Sequence, residues 1–163
     1  MYTSNFAMSS AIYHGFDKEP PFFQSWYFKL VSADQKQCFA ILPGVMLGEE
    51  PHTFVQVLNG ATGRAVYFEY PIQAFRPEAN KFAFSINKKN QFSAERVAFD
   101  IAMEHGGVKG HLHFSNLLTG LVTNSADFSR GIPSLSQQLN GTLTIDSQPI
   151  DFTGGHGTIQ TFW

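Results

Sequence analysis

Pro20-Pro21-Phe22-Phe23-Gln24-Ser25-Trp26-Tyr27-Phe28-Lys29-Leu30 puts a turn signal directly before a dense aromatic run. The two prolines cannot continue a helix and hold the chain extended. From Gln24 to Val31, Trp26, Phe28 and Leu30 fall on one face and Tyr27, Lys29 and Val31 on the other, as the two-residue period of a strand requires. So much aromatic area on one short strand marks a core or the wall of a ligand cavity.

Working outward, Ala33 to Lys36 reads as a hairpin turn and Gln37 to Leu42 as the returning strand. Pro43 and Gly44 are expected to stop the pairing, leaving Val45 to Pro51 irregular. His52 to Leu58 and Arg64 to Tyr70 alternate again about Asn59-Gly60-Ala61-Thr62-Gly63, a strong tight-turn signal. Pro71 to Ala79 carries a short helical turn around Ile72, Ala74 and Phe75. Lys81 to Asn87 is a strand, with Asn87-Lys88-Lys89-Asn90 as its hairpin tip and Gln91 to Ser93 starting the return. Arg96 to Glu104 and Val108 to Ser115 flank the turn His105-Gly106-Gly107.

Between Asn116 and Gln138 the alternation fades, and this stretch reads as the long loop where function often sits. Leu139 to Asp146, Ile150 to Phe152 and Thr158 to Trp163 complete the pattern. About nine or ten short strands joined mainly by tight turns predict an all-β fold, an antiparallel barrel or sandwich. Closure favours the barrel, because it removes exposed edges. Residues 1–20 form an N-terminal arm, loosest over Met1 to Ser10, and residues 21–163 a single barrel domain.

The 163 residues suffice for one core, and the net charge of −2 argues against nucleic acid as a partner. The single cysteine, Cys38, excludes an intramolecular disulfide and reads as a small buried hydrophobe. No basic segment precedes an apolar run, and no stretch approaches the roughly 20 apolar residues of a membrane helix. The expectation is a cytoplasmic protein without an integral membrane segment. Seventeen phenylalanines suit either a filled barrel interior or a pocket for an apolar ligand.

Few residues carry chemistry. His111 and His113 share one strand face, a spacing a metal accepts, but no further ligand accompanies them, and no metal or cofactor is expected. Gly154-Gly155-His156-Gly157 lacks the lysine and helix of a phosphate loop and reads as a tight turn or bulge. Asp151 is either a pocket carboxylate or a turn residue accepting backbone amides. His14 and His156 read first as structural hydrogen-bonding residues and second as an acid or base.

Several of these stretches carry a family resemblance. Tyr13-His14-Gly15-Phe16, Pro21 to Val31 and Phe39-Ala40-Ile41-Leu42-Pro43-Gly44 resemble the opening of the tocopherol cyclase-like family, with its Phe-Glu-Gly-Trp-Tyr-Phe-Lys strand and following Pro-Gly. The likeness continues at Phe54-Val55-Gln56-Val57, Tyr67 to Ile72, Leu139 to Leu143 and Ile150 to Gly157. The resemblance implies a lipocalin-like barrel corresponding to the first half of a two-barrel protein. It also implies chemistry that adds a phenol oxygen across a prenyl double bond, which needs an acid kept protonated in an apolar pocket.

Two departures bear on that chemistry. The family's glutamate is Gln24 here and its glycine is Ser25, while Thr158-Ile159-Gln160-Thr161-Phe162-Trp163 lacks the charged residues of the corresponding family strand. The leading expectation is therefore a barrel that binds a small hydrophobic or prenylated molecule, without the full catalytic set. Gln24, Trp26, Phe28, Phe39, Phe54, Tyr67, Phe82, Phe84, Phe99 and Phe114 are the pool for its ligand-binding wall, with Tyr27 beside them. The first alternative is an active cyclase or isomerase using Asp151, His156, Tyr27 or Glu69 as proton donor. The second is a structural or oligomerisation barrel filled by phenylalanine, with some of these rings on a homodimer surface. If the chain is a cut piece, Thr158 to Trp163 is an exposed terminal strand expected to associate.

Overall fold

The computed structural model describes residues 11–103, 106–118, 122–124 and 129–163. The arm over Met1 to Ser10, Glu104-His105 and parts of the 116–138 stretch lie outside the described residues.

The strands are β1 (Phe22–Val31), β2 (Cys38–Leu47), β3 (His52–Asn59), β4 (Ala65–Pro71), β5 (Phe75–Pro77), β6 (Ala83–Ile86) and β7 (Asn90–Ser93). They continue as β8 (Arg96–Met103), β9 (Gly106–Leu118), β10 (Val122–Asn124), β11 (Ser129–Ile145), β12 (Gln148–Asp151) and β13 (His156–Phe162). Among the described residues these thirteen belong to one antiparallel sheet, more strands than the nine or ten expected, because several are only three or four residues long. A 3₁₀ turn, Ile72–Ala74, joins β4 to β5 at the position of the expected helical turn.

The sheet runs β4-β3-β2-β1-β13-β11-β9-β8-β7-β6-β5, with β10 and β12 paired on β11. This is the lipocalin-like antiparallel architecture, left without a ladder between β4 and β5 among the described residues. Its curl is visible in the core: Trp26 of β1 lies 4.2 Å from Phe84 of β6, and Phe28 of β1 lies 5.8 Å from Phe92 of β7. Strands that distant in the ladder order touch only if the sheet rolls around a common interior.

The alternation in β1 sorts as its sequence dictates. Trp26, Phe28 and Leu30 are fully buried, Lys29 is exposed, and Tyr27 and Val31 are half-buried. The turn after it closes with Ser32 N–H accepted by Gln37 O at 2.9 Å, and Gln35 takes a positive φ of 61°. Cys38, at the start of β2, is half-buried rather than fully enclosed.

Three larger expectations need correction. Pro43 and Gly44 do not end a strand: β2 runs through both to Leu47, taking in part of the stretch expected to be irregular. Gly44 pairs with Ser25 and Ile41 with Phe28, but no ladder pair joins Pro43 to Trp26. The missing proline donor thus falls in a gap on the β1 side, while Pro43 still registers with Val55 of β3. Ser25 Oγ donates to Pro43 O at 3.1 Å, satisfying the carbonyl inside that gap.

The 116–138 stretch is not simply a loop, since β9 extends to Leu118, β10 pairs with the start of β11, and β11 runs from Ser129. Short alternation and glycine masked this continuity. The last strand is no exposed edge either: β13 pairs with β1 on one side and β11 on the other. Among the described residues, the main run of the sheet ends at β4 and β5.

Residues 11–14 are seated in the body. Trp26 Nε1 donates to Ala11 O at 2.7 Å, and Gln24 holds the same segment by donating to Ile12 O at 3.0 Å and accepting His14 N–H at 2.8 Å.

Candidate functional site, the cavity at one end of the barrel

Turns β1–β2, β3–β4 and β11–β12 fall at the same end of a barrel of alternating strands, and together with the start of β9 they surround a cavity of about 680 Å³. Its apolar lining comes from Phe39, Val57, Val66, Phe68, Val108, Ile145 and Ile150, inward positions on β2, β3, β4, β9, β11 and β12. Its rim is polar, with Asp34, Gln37, Asn59, Arg64, Asp146, Gln148, Asp151 and Thr153. The strands thus supply an apolar floor and the turns a polar rim.

Local sequence fixes the rim. Asp146 and Ser147 both adopt positive φ, 51° and 68°, forming the two-residue turn that returns β11 into β12. Arg64 follows the β3–β4 turn, in which Asn59 Oδ1 accepts Ala61 N–H at 2.9 Å. Arg64 Nη1 and Asp146 Oδ2 then meet at 3.0 Å.

On another part of the rim, Asp34 accepts Ser32 Oγ–H at 2.6 Å and Lys36 N–H at 3.0 Å. These bonds, the first above all, hold its carboxyl below the ordinary range. Asp151 accepts Thr153 N–H at 2.9 Å, which lowers its pKa in the same way. The two turns carrying them are packed together. A Cβ at Gly155 would run into Val31 O, so glycine there permits the contact, and Gly154 sits at ordinary van der Waals distance from Ala33.

The residues singled out from sequence fall into distinct places. Phe39 and Asp151 line this cavity. Trp26, Phe28, Phe82, Phe84, Phe99 and Phe114 are buried in the core, where Phe28 lies 6.1 Å from Phe82 and 6.0 Å from Phe114, and Phe92 packs edge-on to Phe99 at 5.4 Å. Phe84 and Phe92 also border a smaller depression of about 330 Å³ beside Arg76 and Arg96. Gln24 is fully buried and ties down residues 12–14.

Phe54 and Tyr67 lie on the outer face, stacked at 4.9 Å, with His52 Nε2 and the Tyr67 hydroxyl 3.0 Å apart. Glu69 registers opposite Phe54 and is exposed. Tyr27 is half-buried opposite Gln160, its phenol pKa raised by desolvation and then by Cys38. His156 is exposed at the start of β13, and His14 stacks on Trp163 at 4.2 Å. The structure therefore does not gather Asp151, His156, Tyr27 and Glu69 into one constellation. His111 and His113 project from β9 with ring centroids 5.6 Å apart, and no group of three or more metal-ligating side chains occurs among the described residues.

Arg64, Asp34, Asp146 and the valines of the floor do not stand out in the sequence as site residues. One signal was available: successive hairpins send alternate turns to the same end, so the charged turns at 34, 64 and 146 were bound to converge.

No protein-family model matches the chain, and no curated protein matches it. Among solved structures, the chain is similar to CghA with Sch210972, at 12% identity and TM-score 0.56, covering 86% of this chain and 45% of that one. That likeness establishes the fold. It also matches a putative AttH from Nitrosomonas europaea (14% identity, TM-score 0.48, 93% of this chain and 56% of that one). A third is kievitone hydratase from Nectria haematococca (12% identity, TM-score 0.34, 93% and 52%). The chain spans about half the length of these structures. Among the described residues, no helix is long and apolar enough to cross a membrane.

Proposed function

We propose that this barrel binds a small hydrophobic or prenylated molecule, with its apolar body against Phe39, Val57, Val66, Phe68 and Ile145 and its polar end at the rim. The observation that carries the reading is the cavity itself, about 680 Å³ with an apolar floor in a barrel whose other rings pack on one another. A volume in this range holds a molecule of ordinary ligand size. Kinship with the tocopherol cyclase-like family belongs to the same proposal, resting on the quoted motifs and the lipocalin-like fold.

Binding is favoured over cyclisation by the state of the one candidate proton donor that lines the cavity. Asp151 accepts hydrogen bonds that lower its pKa, the opposite of what an acid protonating an alkene requires. Tyr27, Glu69 and His156 do not line the cavity.

The test is titration of a geranylated phenol into the purified protein, read by calorimetry, beside Val66→Trp and Ile150→Trp. Both positions are half-buried and face the cavity, so a larger ring fills it at modest cost to the fold. Binding by the parent protein and at least tenfold weaker binding by both variants is expected. Equal affinity in folded variants places the ligand elsewhere and overturns the reading.

A further inference from the structure

The rim has a charge pattern as well as a polar one. Among the lining residues Asp34, Asp146 and Asp151 are acidic and Arg64 alone is basic. Arg64 is committed to Asp146 at 3.0 Å. Asp34 and Asp151 remain, on the two turns that Gly155 allows to pack together. Both are held ionised by hydrogen bonds from their own turns, and neither forms an ion pair among the described residues. Lys36, in the same turn as Asp34, is the further cation that acts on it.

We infer that the cavity selects its ligand by charge, taking an apolar body with a cationic ammonium head in preference to the same body ending in a hydroxyl or a carboxylate. The inference rests on the cavity being the binding site, since it is the apolar floor that places a ligand's head at the rim with Asp34 and Asp151. A carboxylate head would meet two carboxylates, and the one cation among the lining residues, Arg64, is already paired with Asp146. A hydroxyl head has acceptors to bond but no net charge for the rim to attract. An ammonium offers three donors and is attracted by both carboxylates.

The two carboxylates are solvent-exposed, so the discrimination is moderate and salt-sensitive. Octylamine, octanol and octanoate share one apolar body and differ only in the head, which makes them the probes. At neutral pH and low ionic strength, calorimetry is expected to show octylamine binding about fivefold tighter than octanol and more than tenfold tighter than octanoate. The preference is expected to shrink in 0.5 M salt and to fall to near parity in the double variant Asp34→Asn/Asp151→Asn. Asparagine keeps an acceptor oxygen for the Lys36 and Thr153 amides, so both turns retain their shape.

Octanol binding with no advantage for octylamine would overturn the charge selection while leaving the cavity reading standing. An octylamine preference that survives in the double variant, or octanoate binding as tightly as octylamine, would overturn it equally. Failure of all three to bind would remove the cavity reading and this inference together.

Discussion

Arg64 and Asp146 meet at 3.0 Å although the strands they follow, β3 and β11, lie four ladders apart in the sheet order. Only the roll of the sheet brings the two turns together over the cavity mouth. The pair is open to solvent, with side-chain exposures of 58% and 38%, and this sets what it contributes.

Replacing Arg64 or Asp146 by alanine is expected to change unfolding free energy by less than about 1 kcal/mol, because exposed pairs lose most of their attraction to screening. A double-mutant cycle followed by urea unfolding measures the coupling, which should fall further in high salt. A coupling above about 2 kcal/mol would show a far better-shielded contact than this geometry allows.

Gly44 carries a different demand. A Cβ there would collide with Cζ of Phe54, whose ring covers the glycine on the outer face between Phe23 and Tyr67. Gly44→Ala is expected to destabilise by about 1–3 kcal/mol through overpacking. Phe54→Ala in the same chain should recover part of that loss, a coupling that thermal melts of the single and double variants can detect. Strictly additive effects would place the Phe54 ring elsewhere.

Trp26 joins the core to the entering chain through Nε1–H···O=C of Ala11 at 2.7 Å. A phenylalanine in its place would keep most of the ring packing on Phe84 while leaving the buried Ala11 carbonyl without this donor. The expected loss for Trp26→Phe is about 1–3 kcal/mol, with faster amide exchange over residues 11–14. Unchanged exchange there would mean that Gln24 alone secures the segment.

Acid stability follows from the two rim carboxylates. Asp34 and Asp151 have folded pKa values lowered below the ordinary 3.8, so their contribution is present above that value and is lost as pH falls through the lowered folded values. Chemical unfolding at stepped pH should show stability declining below about pH 4. The Asp34→Asn/Asp151→Asn variant should show a shallower decline. The same steepness in both proteins would assign the acid limb to other groups.

The sequence by itself determined most strands and turns. Trp26, Phe28 and Leu30 alternate with Tyr27, Lys29 and Val31, and burial against exposure in β1 follows that alternation because a pleated strand leaves no other choice. Asn59 to Gly63 and Asn87 to Asn90 turn where their side chains and positive-φ positions permit, a property carried within a few residues. Local chemistry misled at Pro43, since whether a missing N–H matters depends on what lies across the ladder. It misled too at β13, since a strand's edge status depends on its partners.

The division of the phenylalanines was a tertiary decision. Phe28, Phe39 and Phe54 are equivalent in composition, yet one packs among rings in the core, one lines the end cavity and one lies on the outer face over Gly44. Period-2 alternation assigns each side chain to a face of its own strand but does not say which end of a rolled sheet stays unfilled. That depends on the summed volumes of side chains from strands far apart in the chain, and on the turns that meet there, Arg64 with Asp146 and the turn of Asp34 against that of Asp151.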